Sequence, residues 1–439
     1  MNTEETAISS RLEEENRRLK TAVEELSILN DVAIAITSTQ TIENIIELIV
    51  KKCIKHLKVE QGAVMLLDEK DQQNPFRTMI RKQDSLSTFL PYRLDTQLTG
   101  WVLKNKSPLL VNNLEEDKRF NFLSKDIPAN ENDFPLKSLL SVPMLLKGKI
   151  TGLLTVFNKR SPSGFTADDQ RLISIIAAQS AQVIENARLY REEAELRYLQ
   201  EEIRVAHEIQ ADLLPAAQPE LPGYTISGKS ISAKEVGGDY YDYISIDNDR
   251  FAFCVGDIAG KGIPAALLMS NLQATLRAQI SADKACRECI SITNKMLYNN
   301  MSSNKFATLF YGILNPGKNE ITYCNAGHNK PMLIARNNDI RRLPTTGMAL
   351  GIVPDAPYEE SIVAMEAGEL MVIFSDGITE AMNNKEEEFG EERLLKILLN
   401  NKNETADKIV ETIFQEVKLF TVSNQQADDM TAVVIKREG

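Results

Sequence analysis

Four aspartates stand where apolar, strand-like runs break into turns that contain glycine or a second acid. They are Asp239 in E-V-G-G-D-Y-Y-D, Asp257 in F-A-F-C-V-G-D-I, Asp376 in M-V-I-F-S-D-G and Asp428 in D-D-M-T-A-V-V-I. Carboxylates gathered at strand ends repel one another and lose hydration, so such a cluster is costly unless hard divalent cations neutralise it. The simplest candidate is a pair of Mg²⁺ or Mn²⁺ ions, which usually performs hydrolytic phosphate chemistry. A single Asp-Gly is an ordinary turn, but turns alone do not explain four.

The composition is that of an ordinary globular protein. Hydrophobic residues make up 43% of the 439 residues and charged residues 26%, which fits folded domains rather than a disordered chain. The length indicates two or three domains. The formal net charge of −12 argues against broad binding to nucleic acids or anionic membranes, because their phosphates would be repelled.

The N-terminus has neither the basic start nor the apolar core of a signal peptide, since it reads M-N-T-E-E-T-A-I-S-S. The longest apolar stretches, such as Leu139–Leu146, are far below the roughly 20 residues that span a membrane. Five scattered cysteines fit a reducing compartment better than a disulfide framework. We therefore expect a cytoplasmic protein that does not enter a membrane.

Residues 1–30 are expected to form an N-terminal coiled-coil helix. A seven-residue repeat places six residues at its two core positions, which are Leu12, Leu19 and Leu26 at one and Asn16, Val23 and Asn30 at the other. Asparagine at a core position favours a dimer with one register. The alternative is a solvated surface helix with an apolar stripe.

The following segment carries the motifs T-G-W-V-L-K-N-K-S-P-L-L-V, D-K-R-F, S-L-L-S-V-P-M-L-L-K-G-K-I-T-G-L-L-T-V and F-T-A-D-D-Q-R-L-I. In this order they resemble a GAF domain, the small α/β sensory module of bacterial signalling proteins, which we expect at residues 31–186. Gly148 is the predicted turn between two strands, and Thr166 the predicted cap of the next helix. The motifs do not identify the bound small molecule or protein. We interpret Cys53 as a buried structural thiol.

Residues 187–215 are expected to form a connector or switch helix. No Gly or Pro interrupts the chain between Thr166 and Pro215. A second heptad frame places Leu189, Leu196, Ile203 and Gln210 at one core position and Leu199, Ala206 and Leu213 at the other. This pattern predicts a paired helix and a homodimer. Two shorter helices with an unmarked break are the alternative.

The C-terminal half, residues 216–439, changes to strand-like segments with helices predicted at 264–281, 285–300, 391–400 and 406–422. Short turns between strands, with helices inserted in pairs, favour an α+β sandwich over a parallel sheet. The predicted fold class is therefore α+β: a coiled coil, an α/β GAF domain, a long connector helix and a C-terminal sandwich.

This half carries eight motifs in order: A-H-E-I-Q-A-D-L-L-P, E-V-G-G-D-Y-Y-D, G-D-I-A-G-K-G-I-P-A-A-L-L-M-S, F-A-T-L-F-Y-G, N-A-G-H-N-K-P, G-M-A-L-G-I, F-S-D-G-I-T-E-A and D-D-M-T-A-V-V. They resemble the metal-dependent serine/threonine phosphatases of the PPM or type 2C family, in the bacterial branch of SpoIIE and RsbU. The resemblance implies an αββα sandwich and hydrolysis by water activated between two divalent cations, Mn²⁺ or Mg²⁺.

Site roles follow from the resemblance, position by position. Asp257 is expected to bridge the two metals, with the Ile258 carbonyl as an extra oxygen ligand. Asp239 is expected on one metal, and Asp376 and Asp428 on the other.

The chain departs from the wider family at several points. Where eukaryotic relatives commonly have Asp-Gly-His, this chain has D-I-A at 257–259, so no proton donor is assigned. His328, in N-A-G-H, is expected either to touch substrate or metal-bound water or to be a structural turn residue. Lys234 is expected either to bind phosphate or to be a solvated side chain. Asp429 stands where many relatives have Asn, so we expect it to support the ligands rather than bind metal.

The resulting hypothesis is a signal-regulated phosphatase acting on phosphoserine or phosphothreonine of a partner protein. The resemblance implies a STAS-type (anti-anti-sigma) substrate, and a GAF signal that reaches the metal site through the connector. A non-catalytic phosphoprotein-binding sensor or scaffold is the alternative, and a small-molecule phosphohydrolase is a third option. G-D-I-A-G-K-G is one residue too short for a nucleotide-binding loop, and no Cys-x5-Arg occurs.

Overall fold

The structure is a computed structural model of the chain. Apart from a few isolated positions before residue 24, it describes residues 41–67, 76–83, 96–114, 116–117, 136–300, 305–421 and 426–438. The coiled coil expected at residues 1–30 lies outside these ranges and stays a prediction. The chain divides into two units, Met1–Arg197 and Tyr198–Gly439.

The N-terminal unit is built on one antiparallel sheet. Its strands, in sheet order β2-β1-β5-β4-β3, are β1 (Val59–Leu67), β2 (Phe76–Gln83), β3 (Leu109–Val111), β4 (Leu139–Leu146) and β5 (Lys149–Lys159). Its helices are α1 (Ile42–Leu57), α2 (Thr96–Asn105) and the beginning of α3 (Ala167–Ala211).

One face of this sheet is covered by α1 and α3. Ile46 and Ile49 of α1 are buried against Val156 of β5 and Ile176 of α3, because apolar residues at helical spacing form one continuous stripe. Cys53 belongs to the same cluster, and burial raises the pKa of its thiol to about 12. It is therefore the buried structural thiol that the sequence indicated.

Two predicted local signals are present in this unit. β4 and β5 are joined by Lys147 and Gly148, whose φ angles of 49° and 81° suit a tight hairpin turn. The hydroxyl of Thr166 accepts a hydrogen bond from the Asp169 amide at 3.2 Å, and Asp169 Oδ2 accepts from the Thr166 amide at 2.9 Å. This reciprocal cap begins α3.

α3 is a single helix of 45 residues. The alternative of two shorter helices is therefore wrong. Charged pairs at helical spacing, such as Arg197 with Glu193 at 2.7 Å, line its surface. None of the described helices has an apolar stretch that would cross a membrane.

The C-terminal unit contains two five-stranded sheets. The first has the order β13-β10-β9-β8-β7, and its strands are β7 (Tyr240–Ser245), β8 (Phe251–Ile258), β9 (Ala307–Asn315), β10 (Glu320–Ala326) and β13 (Ser361–Ala364). The second has the order β12-β11-β14-β15-β6, and its strands are β6 (Tyr224–Ile231), β11 (Met332–Ile334), β12 (Ile340–Arg342), β14 (Leu370–Phe374) and β15 (Met430–Arg437).

The helices of this unit lie within two residues of the predicted bounds, with one addition. They are α4 (Ile263–Gln279), α5 (Cys286–Asn300), α6 (Asp376–Thr379), α7 (Gly390–Asn401) and α8 (Ala406–Thr421). The sequence did not predict α6, because four residues are too few to show a helical period.

Alternating burial along β15 shows how the layers stack. Val433 and Ile435 belong to a cluster that also contains Phe253 and Phe310 of the first sheet. Ala432 and Val434 point the other way, into a cluster with α7 and α8, since successive strand residues face opposite sides. A third cluster places α4 and α5 on the outer face of the first sheet. The predicted mixture of helices and sheets is thus confirmed.

An ion pair between a buried aspartate and a half-exposed arginine fixes α4 to the first sheet. Asp242 of β7 is fully buried and accepts hydrogen bonds from Arg277 Nε at 2.6 Å and Arg277 Nη2 at 2.9 Å. The Tyr240 hydroxyl and the Tyr243 amide also donate to this carboxylate, at 2.6 and 2.8 Å. Every oxygen of Asp242 thus has a partner, as a buried charge requires.

We predict that Arg277→Met destabilises the C-terminal unit by about 3 kcal/mol, because it leaves the buried Asp242 without its counter-charge. Urea unfolding measures this effect. Arg250→Met is the matched control, since Arg250 pairs with Asp247 at 2.7 Å where both side chains are 34% exposed; such pairs contribute about 0–1 kcal/mol. Equal losses in the two variants would contradict this role for the ion pair.

Candidate active site

The four aspartates come in pairs from the two sheets of the C-terminal unit. Asp239 directly precedes β7, and Asp257 lies at the end of β8. Asp376 opens α6 directly after β14, and Asp428 lies just before β15. The sandwich therefore supplies two carboxylates from each sheet.

Ser375 joins the two pairs. Its hydroxyl donates a hydrogen bond to Asp239 Oδ2 at 2.8 Å and accepts one from the Thr431 amide at 2.9 Å. Asp239 is 5% exposed and Ser375 is fully buried, so this bond fixes the carboxylate of one sheet to the backbone of the other. Sequence reasoning missed Ser375, although it stands inside the motif F-S-D-G.

Asp429 supports the loop that carries Asp239. Its carboxylate accepts hydrogen bonds from the amides of Ala233 at 2.7 Å and Gly238 at 2.5 Å. A Cβ on Gly237 would lie 2.6 Å from Asp429 Oδ2, and one on Gly377 only 2.0 Å from the Asp429 carbonyl oxygen. Contacts this short exclude a side chain at either glycine without movement of the backbone.

The carboxylates raise one another's pKa. Burial, followed by the charges of Asp376 and Asp428, raises the pKa of Asp257 to about 7. Burial, followed by the charge of Asp257, holds the pKa of Asp239 well above its usual range. Burial and the charge of Asp428 also raise the pKa of Asp376. Ionising all of these carboxylates together therefore costs free energy, and a bound cation would reduce that cost.

The donor chemistry fits hard divalent cations, which prefer oxygen ligands. A Cβ on Gly238 would lie 3.0 Å from the Ile258 carbonyl oxygen, so the missing side chain lets the loop before Asp239 approach this predicted ligand. In the ranges that the structure describes, no three acidic, thiol or imidazole side chains already stand in a metal-holding arrangement. Instead, Asp239 is hydrogen-bonded to Ser375, and Asp428 is paired with Lys261.

His328 and Lys234, each of which had two possible roles, lie in different environments. His328 is 3% exposed, and its Nδ1 lies 2.9 Å from the Thr308 hydroxyl. Burial lowers the pKa of His328 to about 4, so its ring is neutral and inside the fold, which favours the structural alternative. Lys234 is exposed, and its Nζ would lie 4.0 Å from a Cβ on Gly262 in the loop after β8.

Two residues that sequence reasoning left without a site role contact the aspartate loops. Lys261 Nζ lies 2.8 Å from Asp428 Oδ2. The side-chain amide of Gln210, near the end of α3, donates to the Gly237 carbonyl at 2.7 Å and accepts from the Gly237 amide at 3.0 Å. The motifs A-H-E-I-Q and G-D-I-A-G-K-G contained both residues, but no spacing rule indicates their partners.

Comparison with known proteins now identifies the family. Residues 247–438 match the model of the Stage II sporulation protein E (SpoIIE) family, and residues 39–185 match that of the GAF domain. Over 255 residues the chain is 30% identical to the phosphoserine phosphatase RsbU of Bacillus subtilis, which covers 57% of this chain and 75% of RsbU. The chain belongs to the SpoIIE/RsbU family of serine phosphatases.

Other relatives and solved structures also resemble about half of the chain. Protein IcfG of Synechocystis is 28% identical over 264 residues, covering 54% of this chain and 41% of IcfG. The SiaA-PP2C domain of Pseudomonas aeruginosa is 19% identical with a TM-score of 0.49, covering 55% of this chain and 98% of that domain. The GAF and PPM-type resemblances and the serine/threonine phosphatase class predicted from the motifs are confirmed by the family matches and by RsbU.

We predict that, in the presence of a chelator, the free energy of unfolding falls as pH rises from about 5 to 8. The folded pKa of Asp257 is about 7, above the roughly 3.9 of an unfolded Asp, so the folded state binds more protons in this window and losing them destabilises it. Urea unfolding across this range measures the slope.

Asp257→Asn should show a shallower dependence on pH, because the amide has no proton to lose. Asp247→Asn is the control, since its Arg250 partner lowers the pKa of Asp247 and places its titration below the window. Excess Mn²⁺ should flatten the wild-type slope. A wild-type protein whose stability in chelator does not change between pH 5 and 8 would contradict the mutual repulsion.

Proposed function

We propose that the chain is a signal-regulated, metal-dependent protein phosphatase that hydrolyses phosphoserine or phosphothreonine on a partner protein. Family membership supports the phosphatase class, and the site supports the metal dependence. The proposal rests on one observation. Four carboxylates from two sheets lie close enough for their charges to interact, and the pKa is raised at three of them. The four are Asp239, Asp257, Asp376 and Asp428. Such a cluster is unfavourable for stability alone.

The proposed cofactors are two divalent cations, Mn²⁺ or Mg²⁺. Asp257 would bridge them, with the Ile258 carbonyl as an extra oxygen ligand. Asp239 would hold one cation, and Asp376 and Asp428 would hold the other. When bound, this pair would supply a lowered water pKa and neutralise charge on the phosphoryl oxygens.

The surrounding residues position these ligands. Ser375 fixes the carboxylate of Asp239 through its 2.8 Å hydrogen bond. Asp429, whose carboxylate is occupied by two backbone amides, holds the loop before Asp239. Lys234 stands exposed beside the loop after β8, where its ammonium would meet a phosphate oxygen of the arriving substrate.

The openness of the site favours a phosphorylated protein over a free metabolite. The Asp428 side chain is 37% exposed, while Asp239 at 5% forms the floor. Small-molecule sites usually bury most of their ligand, whereas a phosphoserine on a partner's surface needs only local access. The STAS-type identity of the partner is proposed from the family resemblance.

Regulation is proposed to act through the end of α3. Gln210 is 8% exposed and holds both backbone polar groups of Gly237, two residues before Asp239. Nearby, His207 Nδ1 donates to the Glu235 carbonyl. A cavity of about 710 Å³ lies beside these contacts and includes Asp239 and Met269 in its wall, so the helix end has room to shift. A signal from a small molecule or protein at the GAF domain would change these contacts.

A homodimer paired along the connector fits the exposed part of α3. Leu189, Leu196 and Leu199, all predicted heptad core residues, are 51%, 61% and 52% exposed in the single chain. Leucines at heptad spacing pair readily with a second helix. We therefore propose parallel pairing of two copies along this surface.

We predict that Asp257→Asn lowers Mn²⁺-dependent hydrolysis of a phosphoserine peptide by about 1,000-fold, because the bridging charge is lost while the side-chain shape is kept. Release of phosphate measures the rate. Asp247→Asn is the control and should retain wild-type activity, because Asp247 is an exposed residue in the turn between β7 and β8, at the opposite end of these strands from Asp239 and Asp257.

The same assay separates the other candidate functions. Equal rates in wild type and Asp257→Asn would favour the non-catalytic sensor. Free nucleotides hydrolysed faster than a phosphorylated STAS protein or a phosphopeptide would favour the small-molecule phosphohydrolase.

We predict that Gln210→Leu raises the Mn²⁺ concentration for half-maximal activity roughly tenfold, since two hydrogen bonds that order the Asp239 loop are lost at about 0.7 kcal/mol each. Titration of activity with Mn²⁺ measures the change. Gln200→Leu, which alters an exposed glutamine of the same helix, is the control. An unchanged requirement in Gln210→Leu would remove the connector from the proposed mechanism.

A further inference from the structure

Lys261 connects the two sheets at the aspartate cluster. It lies in the loop between β8 and α4, four residues after Asp257. Its Nζ donates to Asp428 Oδ2 at 2.8 Å and to the Ala427 carbonyl at 2.5 Å. Lys261 therefore links the loop after Asp257 to the loop that contains Asp428.

The charge of Lys261 also reaches beyond Asp428. It opposes the rise in the pKa of Asp376 that burial and Asp428 cause, and it does the same for Glu380 in the turn after α6. Both acidic residues proposed for one metal position, Asp376 and Asp428, thus lie within its field.

The neighbouring lysines have different partners. Lys305 Nζ donates to the Ala259 carbonyl at 2.8 Å, and Lys234 lies beside Gly262. Among the residues described, Lys261 is the cation that forms an ion pair with one of the four aspartates. Lys261 and Asp428 are 38% and 37% exposed, so solvent screens this pair in part, and the direct contact at 2.8 Å is what brings the ammonium to the proposed metal position.

We propose that Lys261 is an internal counter-cation that competes with the divalent cation for Asp428 and keeps cation affinity at this position low. This inference rests on the metal site of the proposed function. An ammonium and a divalent cation on one carboxylate compete for its oxygens and repel each other at short range, even where solvent screens part of their charge. Cation binding must therefore displace Lys261 from Asp428 or overcome the repulsion.

Calorimetric titration of the full-length protein with Mn²⁺ tests the proposal. We expect Lys261→Met to bind Mn²⁺ roughly tenfold more tightly, because both competition and repulsion are removed. In chelator its melting temperature should fall, since the carboxylates lose their internal counter-charge. Lys261→Arg keeps the charge and should match wild type in both measurements.

Lys305→Met is the matched control. It removes a lysine beside the same loop that donates to a carbonyl rather than a carboxylate, so Mn²⁺ affinity should change by less than about threefold. Lys261→Gln serves as a second variant if Lys261→Met does not fold, and it should show the same gain in affinity.

The outcomes separate this inference from the function on which it rests. Unchanged or weaker Mn²⁺ binding in the neutral variants, with binding intact in wild type, overturns the role of Lys261 alone. Equal tightening in Lys261→Arg also overturns it, since charge would not be the cause. Absence of Mn²⁺ binding in wild type and in every variant overturns the metal site and this inference together.

Discussion

The repulsion among carboxylates brought together by two sheets is the constraint on which the rest of the C-terminal unit depends. A sandwich with one apolar core between its sheets, containing Phe253, Phe310 and Val433, fixes where the strands end. The strand ends then place Asp239 and Asp257 near Asp376 and Asp428, although the negative charges of these carboxylates repel one another. The stability of the core must hold this arrangement together, because burial raises the pKa of Asp257 and Asp239 and ionising them costs free energy.

The structure limits that cost with polar partners of three kinds. A hydroxyl, Ser375, donates to Asp239; backbone amides occupy Asp429; and an ammonium, Lys261, pairs with Asp428. Only the amides are fixed parts of the backbone. The hydroxyl can rotate and the lysine can move away, so Asp239 and Asp428 could bind the proposed metals, whereas both carboxylate oxygens of Asp429 accept from backbone amides. This difference would account for the unequal roles proposed for the adjacent Asp428 and Asp429.

Much of the fold was readable from the sequence because it rests on local signals. Periodicity predicted α4, α5, α7 and α8, and the reciprocal cap at Thr166 and the turn at Gly148 followed from residue type. The four aspartates were also visible, since each stands at one end of an apolar strand: Asp239 and Asp428 just before β7 and β15, and Asp257 and Asp376 at or just after the ends of β8 and β14. Three contacts were not: Ser375 with Asp239, Lys261 with Asp428, and Gln210 with Gly237. Each joins residues separated by 27 to 167 positions, and no local pattern encodes which side chains meet after the sheets have packed.

The same contacts would give a long helix a means of controlling the proposed metal site without supplying a ligand to it. Gln210 holds the Gly237 backbone by two hydrogen bonds, and Gly237 is also confined by Asp429, which a Cβ would approach to 2.6 Å. The loop before Asp239 is therefore held on one side by Gln210 of α3 and on the other by Asp429, just before β15. Releasing one side need not unfold the loop; a loss of about 1.4 kcal/mol in its order changes cation affinity tenfold. If Lys261 weakens cation binding at Asp428 as proposed, a change of that size would decide whether the site fills at a given Mn²⁺ concentration. Under the proposed function, weak metal binding would thus make regulation through one helix sufficient.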